Sequence, residues 1–163
     1  EFVWAGPTVS GTVFATRDSP SRIVVQEEFG GADAGMSIKP PGSVERMWGG
    51  GPCLAALLTG GLLAFFDWRS GALVRAIEAG PVTHVAWSAD GTKVALGVDT
   101  AGEPAGAIGC HILGFDAAAV AAAAPEDYAD DGLEGAFQVL GGIDGEAPIR
   151  GLLWVTSECL VYT

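Results

Sequence analysis

The sequence predicts an all-β fold, a β-propeller fragment of about three and a half four-stranded blades, and three observations predict it. First, four stretches each place an apolar strand before a tryptophan, a turn after it and a second apolar strand beyond. Second, these tryptophans are separated by 44, 39 and 67 residues, and two of the steps lie near the ~40–45-residue period of a WD40-type blade. Third, 25 glycines with 49% hydrophobic and 17% charged residues are typical of short strands joined by tight turns. The four tryptophans are Trp4, Trp48, Trp87 and Trp154.

The first blade is predicted over residues 1–40. Apolar runs alternate there with segments rich in Gly, Pro, Ser and Asp, which are the residues that turns require. The second blade, over 43–79, has the clearest pattern, and two of its runs, CLAALL and LLAFF, are continuously apolar and predict strands covered on both faces. The expected strands are 1–5, 12–16, 23–28 and 36–39 in the first blade, and 44–48, 53–58, 62–68 and 72–78 in the second.

The third blade is predicted over 82–141 and contains an insertion. Its third and fourth strands are expected at 107–113 and 136–140, and between them lies the run FDAAAVAAAA at 115–124. Alanine is the strongest helix former, and Pro125 is expected to end the helix. This short Ala-rich helix and the acidic loop after it account for the long 67-residue step.

A fourth blade is predicted to begin at 149 and to supply two strands. The chain starts without Met and stops within an apparent strand at Thr163. We therefore expect these residues to be one part of a longer polypeptide.

Seven residues are predicted to carry the structural repeat. The four tryptophans are expected to pack between neighbouring blades, with stacking against a ligand as the alternative. Asp67 ends a strand in FFDWRSG, where an aromatic–Asp pair before a Ser-Gly turn is typical of a WD repeat. Asp90 and Gly91 form the Asp-Gly pair of a hairpin.

Charge and hydropathy exclude several functions. The formal net charge of −12 argues against a nucleic-acid partner and against docking on an anionic membrane, because both recruit clusters of Lys and Arg. No apolar run reaches the ~18–20 residues of a membrane-spanning helix. The odd number of cysteines and the lack of a CxxC pair predict buried, unpaired thiols: Cys53, Cys110 and Cys159.

No pattern predicts catalytic, cofactor-binding or metal-binding residues. The chain lacks a phosphate-binding loop, a G-x-S-x-G elbow and a zinc-ligand pattern. His84 and His111 lie within apolar strands and are expected to be structural. His84, Ser88 and Asp90 do not make a convincing triad, because the Ser-x-Asp-Gly run is explained as a turn. The acidic residues at 126–134 lack the spacing of a calcium loop and are expected to be solvated.

Six blocks of the chain, in order, resemble the second WD-repeat propeller of the coatomer beta-prime subunits of the COPI vesicle coat. The resemblance covers the whole chain and is more specific than a general WD pattern, although the alanine tract and the Gly-rich stretch DTAGEPAGAIG depart from it. The blocks are EFVWA, FATRDSPSRIVVQEEF, FFDWRSGALVRAIE, HVAWSADGTKVAL, DDGLEGAFQVLGGI and GLLWVTSECLVYT.

The resemblance implies a non-enzymatic, architectural segment of a cytoplasmic coat subunit that is peripheral on Golgi membranes and COPI-coated vesicles. That coat acts in Golgi-to-ER retrograde and intra-Golgi transport. The implied partners are the other coatomer subunits, especially the alpha subunit, and a small GTPase that acts at the membrane through the coat. Dilysine cargo is expected to bind another domain, and no cofactor is expected. The alternative is a WD-repeat scaffold of another trafficking complex, such as the alpha subunit of the same coat.

Overall fold

The computed structural model describes residues 1–7, 9, 11–27, 35–104, 106–145 and 149–163. The last residue of the strand predicted at 23–28 and most of the segment between it and the strand predicted at 36–39 lie outside these residues. The described strands are β1 (Phe2–Trp4), β2 (Phe14–Ser19), β3 (Arg22–Gln26), β4 (Met36–Ile38), β5 (Val44–Trp48), β6 (Cys53–Leu58), β7 (Leu62–Asp67), β8 (Leu73–Glu78), β9 (Val82–Trp87), β10 (Lys93–Val98), β11 (Ile108–Phe115), β12 (Phe137–Asp144), β13 (Leu152–Thr156) and β14 (Cys159–Tyr162).

The strands form antiparallel meanders in chain order. Sheet one is β1-β2-β3-β4, sheet two is β5-β6-β7-β8, sheet three is β9-β10-β11-β12 (written from first to last strand), and β13 pairs with β14. Three four-stranded sheets followed by a two-stranded one are the architecture of about three and a half blades. The predicted all-β propeller fold is therefore confirmed.

Sheet two contains the most thoroughly buried strands. All six residues of β6 are buried, as are the four central residues of β7. The two strands pair without interruption from Cys53 opposite Asp67 to Leu58 opposite Leu62. One face contributes Leu54, Ala56 and Leu58 to the core shared with sheet one, while the alternate residues pack toward sheet three. Coverage on both faces explains why these strands are continuously apolar.

The first strands of successive sheets lie side by side, β1 beside β5, β5 beside β9 and β9 beside β13. Hydrogen bonds join them directly: Gly50 N–H donates to the Trp4 carbonyl oxygen over 2.9 Å, and Arg46 Nη1 donates to the Thr83 carbonyl oxygen over 2.9 Å. Each sheet is thus tied to the next near its innermost strand, as the radial packing of propeller blades requires.

The helical insertion is present but shorter than the sequence predicts. Helix α1 spans Ala117–Ala122, because Phe115 stays in β11 and the Asp116 side chain accepts a hydrogen bond from Ala119 N–H over 2.8 Å at the helix start. Pro125 begins a 3₁₀ turn two residues beyond the helix cap at Ala123. In the part of the chain that the structure describes, no helix is long and apolar enough to cross a membrane.

The last strand of sheet three extends beyond the predicted residue 140. β12 continues to Asp144 because its pairing with β11 resumes after a register shift, with Gly141 opposite Ile112 and Gly142 opposite His111. Gly141 and Gly142 therefore remain in the ladder. A bulge absorbs Leu140, and such bulges are common in edge strands.

The acidic loop after α1 folds back onto sheet two. Ala76 N–H donates to the Asp131 carbonyl oxygen over 2.7 Å, and Leu133 N–H donates to the Val74 carbonyl oxygen over 2.8 Å. Arg75 Nη1 lies 2.9 Å from Asp131 Oδ2. The acidic side chains of this loop are exposed, as expected, but the backbone from Asp131 to Leu133 pairs with the outer edge of β8.

Candidate functional site

The contact between sheets two and three is built around the indole of Trp87. This side chain is 8% exposed and meets Phe65 of β7 edge-on, with ring centroids 5.9 Å apart. On its own sheet it meets Phe115 at 5.6 Å and Phe137 at 6.1 Å. Aromatic clusters of this geometry add to the free energy of area burial. Among the described residues, none accepts a hydrogen bond from Trp87 Nε1.

A glycine turn between β5 and β6 makes room for this indole. A Cβ atom on Gly51 would overlap the ring of Trp87, so any larger residue would push the two sheets apart. Trp48, at the end of β5, is half-buried in the same core and carries Arg46 above its ring at 5.1 Å.

The other two repeat tryptophans are more exposed. Trp4 is 49% exposed and packs against Phe2 and Phe14 of its own sheet, with centroids 5.0 Å apart for Phe2. Trp154 is half-buried, and its Nε1 donates to the Ala86 carbonyl oxygen of β9 over 3.0 Å. A common packing role for all four tryptophans stays a prediction.

The turn that follows Asp67 is held by a single carboxylate oxygen. Asp67 Oδ1 accepts hydrogen bonds from Arg69 N–H (3.1 Å), from Ser70 N–H (2.7 Å) and from Ser70 Oγ (2.7 Å). These bonds satisfy the backbone of the β7–β8 turn.

Asp90 organises the hairpin between β9 and β10. Its Oδ1 accepts hydrogen bonds from Ser88 Oγ (2.6 Å), Thr92 N–H (3.1 Å) and Thr92 Oγ1 (2.9 Å). Gly91 supplies the positive φ of 71°. The Ser88 hydrogen bond, followed by those of Thr92, lowers the pKa of Asp90 to about 2, because each bond stabilises the charged form.

Sequence reasoning missed the most deeply buried tryptophan. Trp68 is 2% exposed, and its Nε1 donates to the Gly51 carbonyl oxygen over 3.0 Å. It follows Asp67 directly and lies outside the strand–tryptophan–turn repeat from which the other four tryptophans were predicted to be important. The available signal was a large aromatic residue in an otherwise polar turn.

The three cysteines differ in burial. Cys53 and Cys110 are buried as expected, but Cys159 is exposed in β14, so the expectation of burial is wrong for that residue. Burial raises the pKa of the Cys53 thiol, and the nearby Asp67 carboxylate raises it further. Burial also raises the pKa of Cys110. Neither buried thiol is therefore prepared to act as a nucleophile at neutral pH.

His84, Ser88 and Asp90 are not arranged as a triad in the structure. His84 Nδ1 lies 3.1 Å from Thr83 Oγ1, while the Ser88 hydroxyl is directed to Asp90. Within the described ranges, no cluster of three or more His, Cys, Asp or Glu side chains could hold a metal ion.

A cavity of about 390 Å³ lies between the outer parts of sheets two and three. Its apolar wall comes from β8, β10, β11 and β12, and includes Ile77, Leu96, Leu113, Phe137 and Val139. Arg75, Glu78, His111 and Glu134 supply its polar groups. The cavity can accept a ligand that carries an apolar side chain next to a positive charge. Arg75 would not repel that charge strongly, because it is already paired with Asp131.

Comparison with known proteins gives one family for the whole chain. The family model described as "COPA/B second beta-propeller" matches residues 1–163. The chain is 34% identical over 163 residues to the probable coatomer subunit beta' of Caenorhabditis elegans, 33% identical over 165 residues to coatomer subunit beta' of Drosophila melanogaster, and 32% identical over 165 residues to coatomer subunit beta' of Homo sapiens. Each alignment covers 100% of this chain but only 14–16% of the relative.

A solved structure of Kluyveromyces lactis Hsv2p is similar in fold. It matches 94% of this chain with a TM-score of 0.55 at 18% identity, and the match covers 49% of that structure. At this identity the similarity concerns the fold alone.

Proposed function

Because this chain belongs to the COPA/B second beta-propeller family, we propose that it is part of a structural subunit of the coatomer coat, of the beta-prime type. The observation that carries the proposal is similarity over the entire chain to proteins named coatomer subunit beta' in animals and plants. The alternative is the alpha subunit of the same coat, since the family description covers both subunits.

The role of this segment in the coat is architectural and not enzymatic. Support comes from the way the sheets interlock through Trp87, Arg46 and the Asp131–Arg75 pair, which gives a stiff body suited to holding neighbouring domains at a fixed angle. His84 is hydrogen-bonded to Thr83, and burial raises the pKa of both buried thiols, which does not favour catalysis.

The transport step and the partners follow from the family. The coat would act in Golgi-to-ER retrograde and intra-Golgi transport, and the protein would be cytoplasmic and peripheral on Golgi membranes and coated vesicles. Its partners would be the other coatomer subunits, chiefly the alpha subunit, with a small GTPase acting through the coat. Dilysine cargo would be bound by another domain, and nucleic acid is not a partner because the net charge of −12 opposes it.

The test is a pull-down of the complete polypeptide that contains these 163 residues, tagged and expressed in cells of its own organism. Co-purifying proteins are quantified by mass spectrometry against cells that express the tag alone. We expect the complete coat at equal stoichiometry, with the alpha subunit present and the endogenous beta-prime subunit displaced. Recovery of endogenous beta-prime without alpha would favour the alternative. A different set of partners would contradict both forms of the proposal, and only the fold assignment would remain.

A further inference from the structure

Among the described residues, the outer edge of sheet three is a long strand without a partner, whereas the edge strand of sheet one is short and that of sheet two is paired. The last strand of sheet one, β4, has only three residues. The last strand of sheet two, β8, has its edge hydrogen-bonded to the segment around Asp131 and Leu133. β12 is eight residues long, and among the described residues it pairs only with β11. Its remaining backbone N–H and C=O groups therefore face outward without a strand beside them.

Among the described residues, this edge has only one of the features that usually protect an exposed strand, a bulge at Leu140. β12 reads FQVLGGID, with no charged residue before Asp144, whereas natural edges are commonly short or charged. Val139 is 73% exposed although it lies on the side of sheet three that faces sheet two. Sheet two is complete with four strands, so its presence does not cover Val139. A bulge at Leu140 divides the strand into two stretches that an added strand can pair with. An open edge of this length and composition is suited to strand addition.

The cavity beside the edge indicates which side chains such a strand would carry. Phe137 and Val139 of β12 line the cavity between sheets two and three together with Ile77 of β8. Two carboxylates, Glu78 and Glu134, line the same cavity. Its arginine is neutralised by Asp131 at 2.9 Å. The space is therefore apolar in its wall and acidic at its margin.

We propose that the free edge of β12 is a docking site for an extended segment of a partner protein that carries a bulky apolar side chain flanked by Lys or Arg. The segment would add a fifth strand to sheet three through backbone hydrogen bonds. Its apolar side chain would enter the cavity beside Val139, and its basic side chains, two residues away on the same face, would lie near Glu78 and Glu134. Backbone pairing supplies affinity, while the pocket and the charges supply specificity. The site is independent of whether the chain works in a coat.

The experiment uses the complete polypeptide that contains these 163 residues and three fluorescently labelled peptides: TKTFTKT, its charge-reversed form TETFTET, and TKPFPKT. Prolines remove backbone donors but leave the charges and the aromatic group in place. We expect TKTFTKT to bind with a salt-dependent affinity, and the other two peptides to bind at least about tenfold more weakly. Hydrogen exchange should show new protection in 137–144 with TKTFTKT, a readout that binding in the cavity without strand addition would not produce.

Variants locate the site on the protein. Val139→Lys, at an exposed position, should weaken TKTFTKT about tenfold through like-charge repulsion and loss of the cavity contact, while Val139→Thr should change it little. Glu78→Gln with Glu134→Gln should reduce the salt dependence, and the matched control Glu126→Gln, in the exposed part of the acidic loop, should not. The proposal would be overturned if TKTFTKT did not bind, if Val139→Lys left its affinity unchanged, or if the proline peptide bound equally well. Self-association of the chain through β12 would also overturn it.

Discussion

At the scale of single residues, Trp87 and Trp68 are both buried indoles, but only one donates a hydrogen bond. Trp68 Nε1 donates to the Gly51 carbonyl oxygen, whereas Trp87 Nε1 has no acceptor among the described residues. The two indoles therefore contribute differently. Trp87 contributes mainly through packing between sheets, and Trp68 also satisfies a buried carbonyl group.

This difference predicts contrasting substitutions. Trp87→Ala should lower the free energy of unfolding by about 3–5 kcal/mol, because it leaves a cavity between sheets two and three. Trp87→Phe should be much milder, since no hydrogen bond is lost. Trp68→Phe should cost about 1–3 kcal/mol more than Trp87→Phe, because the Gly51 oxygen loses its donor. Urea unfolding of the complete polypeptide that contains these 163 residues measures the loss of stability in all three variants. Equal losses for the two Phe variants would contradict this account.

The lowered pKa of Asp90 predicts a pH dependence. Its pKa falls from an ordinary 3.8 to about 2 in the folded chain, so its charged form is favoured by folding. The stabilisation is present above pH 4 and is lost as the pH falls from about 4 to about 2. Asp90→Asn keeps an acceptor oxygen but removes the charge.

Unfolding free energies of the wild type and Asp90→Asn, measured by urea titration at several pH values, should therefore differ above pH 4. The difference should shrink toward pH 2. Asp130→Asn, in the acidic loop, serves as the control and should show no such convergence. A gap that is constant with pH would indicate that the charge of Asp90 does not contribute.

At the scale of elements, the segment from Asp131 to Leu133 joins the insertion of sheet three to the edge of sheet two. Gly132 has a φ of 98°, and a Cβ atom there would overlap the Val74 carbonyl oxygen. The chain can therefore approach β8 this closely only with glycine at this position. Nothing in the run DDGLEG predicts this contact, because its partner lies more than fifty residues earlier in the chain.

Gly132→Ala should consequently lower the free energy of unfolding by about 1–3 kcal/mol, through backbone strain and loss of the pairing with β8. The matched control is Gly135→Ala, since no atom lies within 4 Å of a Cβ built there. Thermal and urea unfolding compare the two variants, and hydrogen exchange at Ala76 N–H reports the pairing directly. Similar stability of the two variants would show that the contact contributes little.

At the scale of the whole molecule, apolar side chains are exposed on the first and last sheets. Trp4 is 49% exposed, Leu153 63% and Val155 59%. Propeller blades normally cover such surfaces with the adjacent blade. We expect these faces to be covered by further blades of the same polypeptide.

The 163 residues in isolation should therefore be unstable or prone to associate. Light scattering should detect association that increases with protein concentration, and thermal unfolding should be broad or irreversible. Leu153→Lys with Val155→Lys should reduce association by making the exposed face polar. A sharp, reversible and concentration-independent melt of the wild-type 163 residues would contradict this expectation.

Local patterns in the sequence were sufficient for most of the fold. The bounds of β5 and β6 agree with the strands predicted at 44–48 and 53–58, because strand formation there depends on short-range hydrophobicity and on the glycines between the two strands. The all-β class, the helical insertion and the family resemblance also follow from residues close together in the chain. The end of β12 was predicted four residues too early, because pairing with β11 overrides the local preference of two glycines for a turn.

The sequence by itself determined the all-β class, the order of the strands and the family to which the chain belongs. Only the tertiary structure decided that Trp87 lies against Phe65, that Trp68 donates to Gly51, and that the acidic loop pairs with β8. It also decided that the edge of β12 remains open beside an acidic, apolar cavity. The physical reason is that strand formation is local, whereas these contacts depend on how separate sheets pack, and that packing brings together residues far apart in the chain.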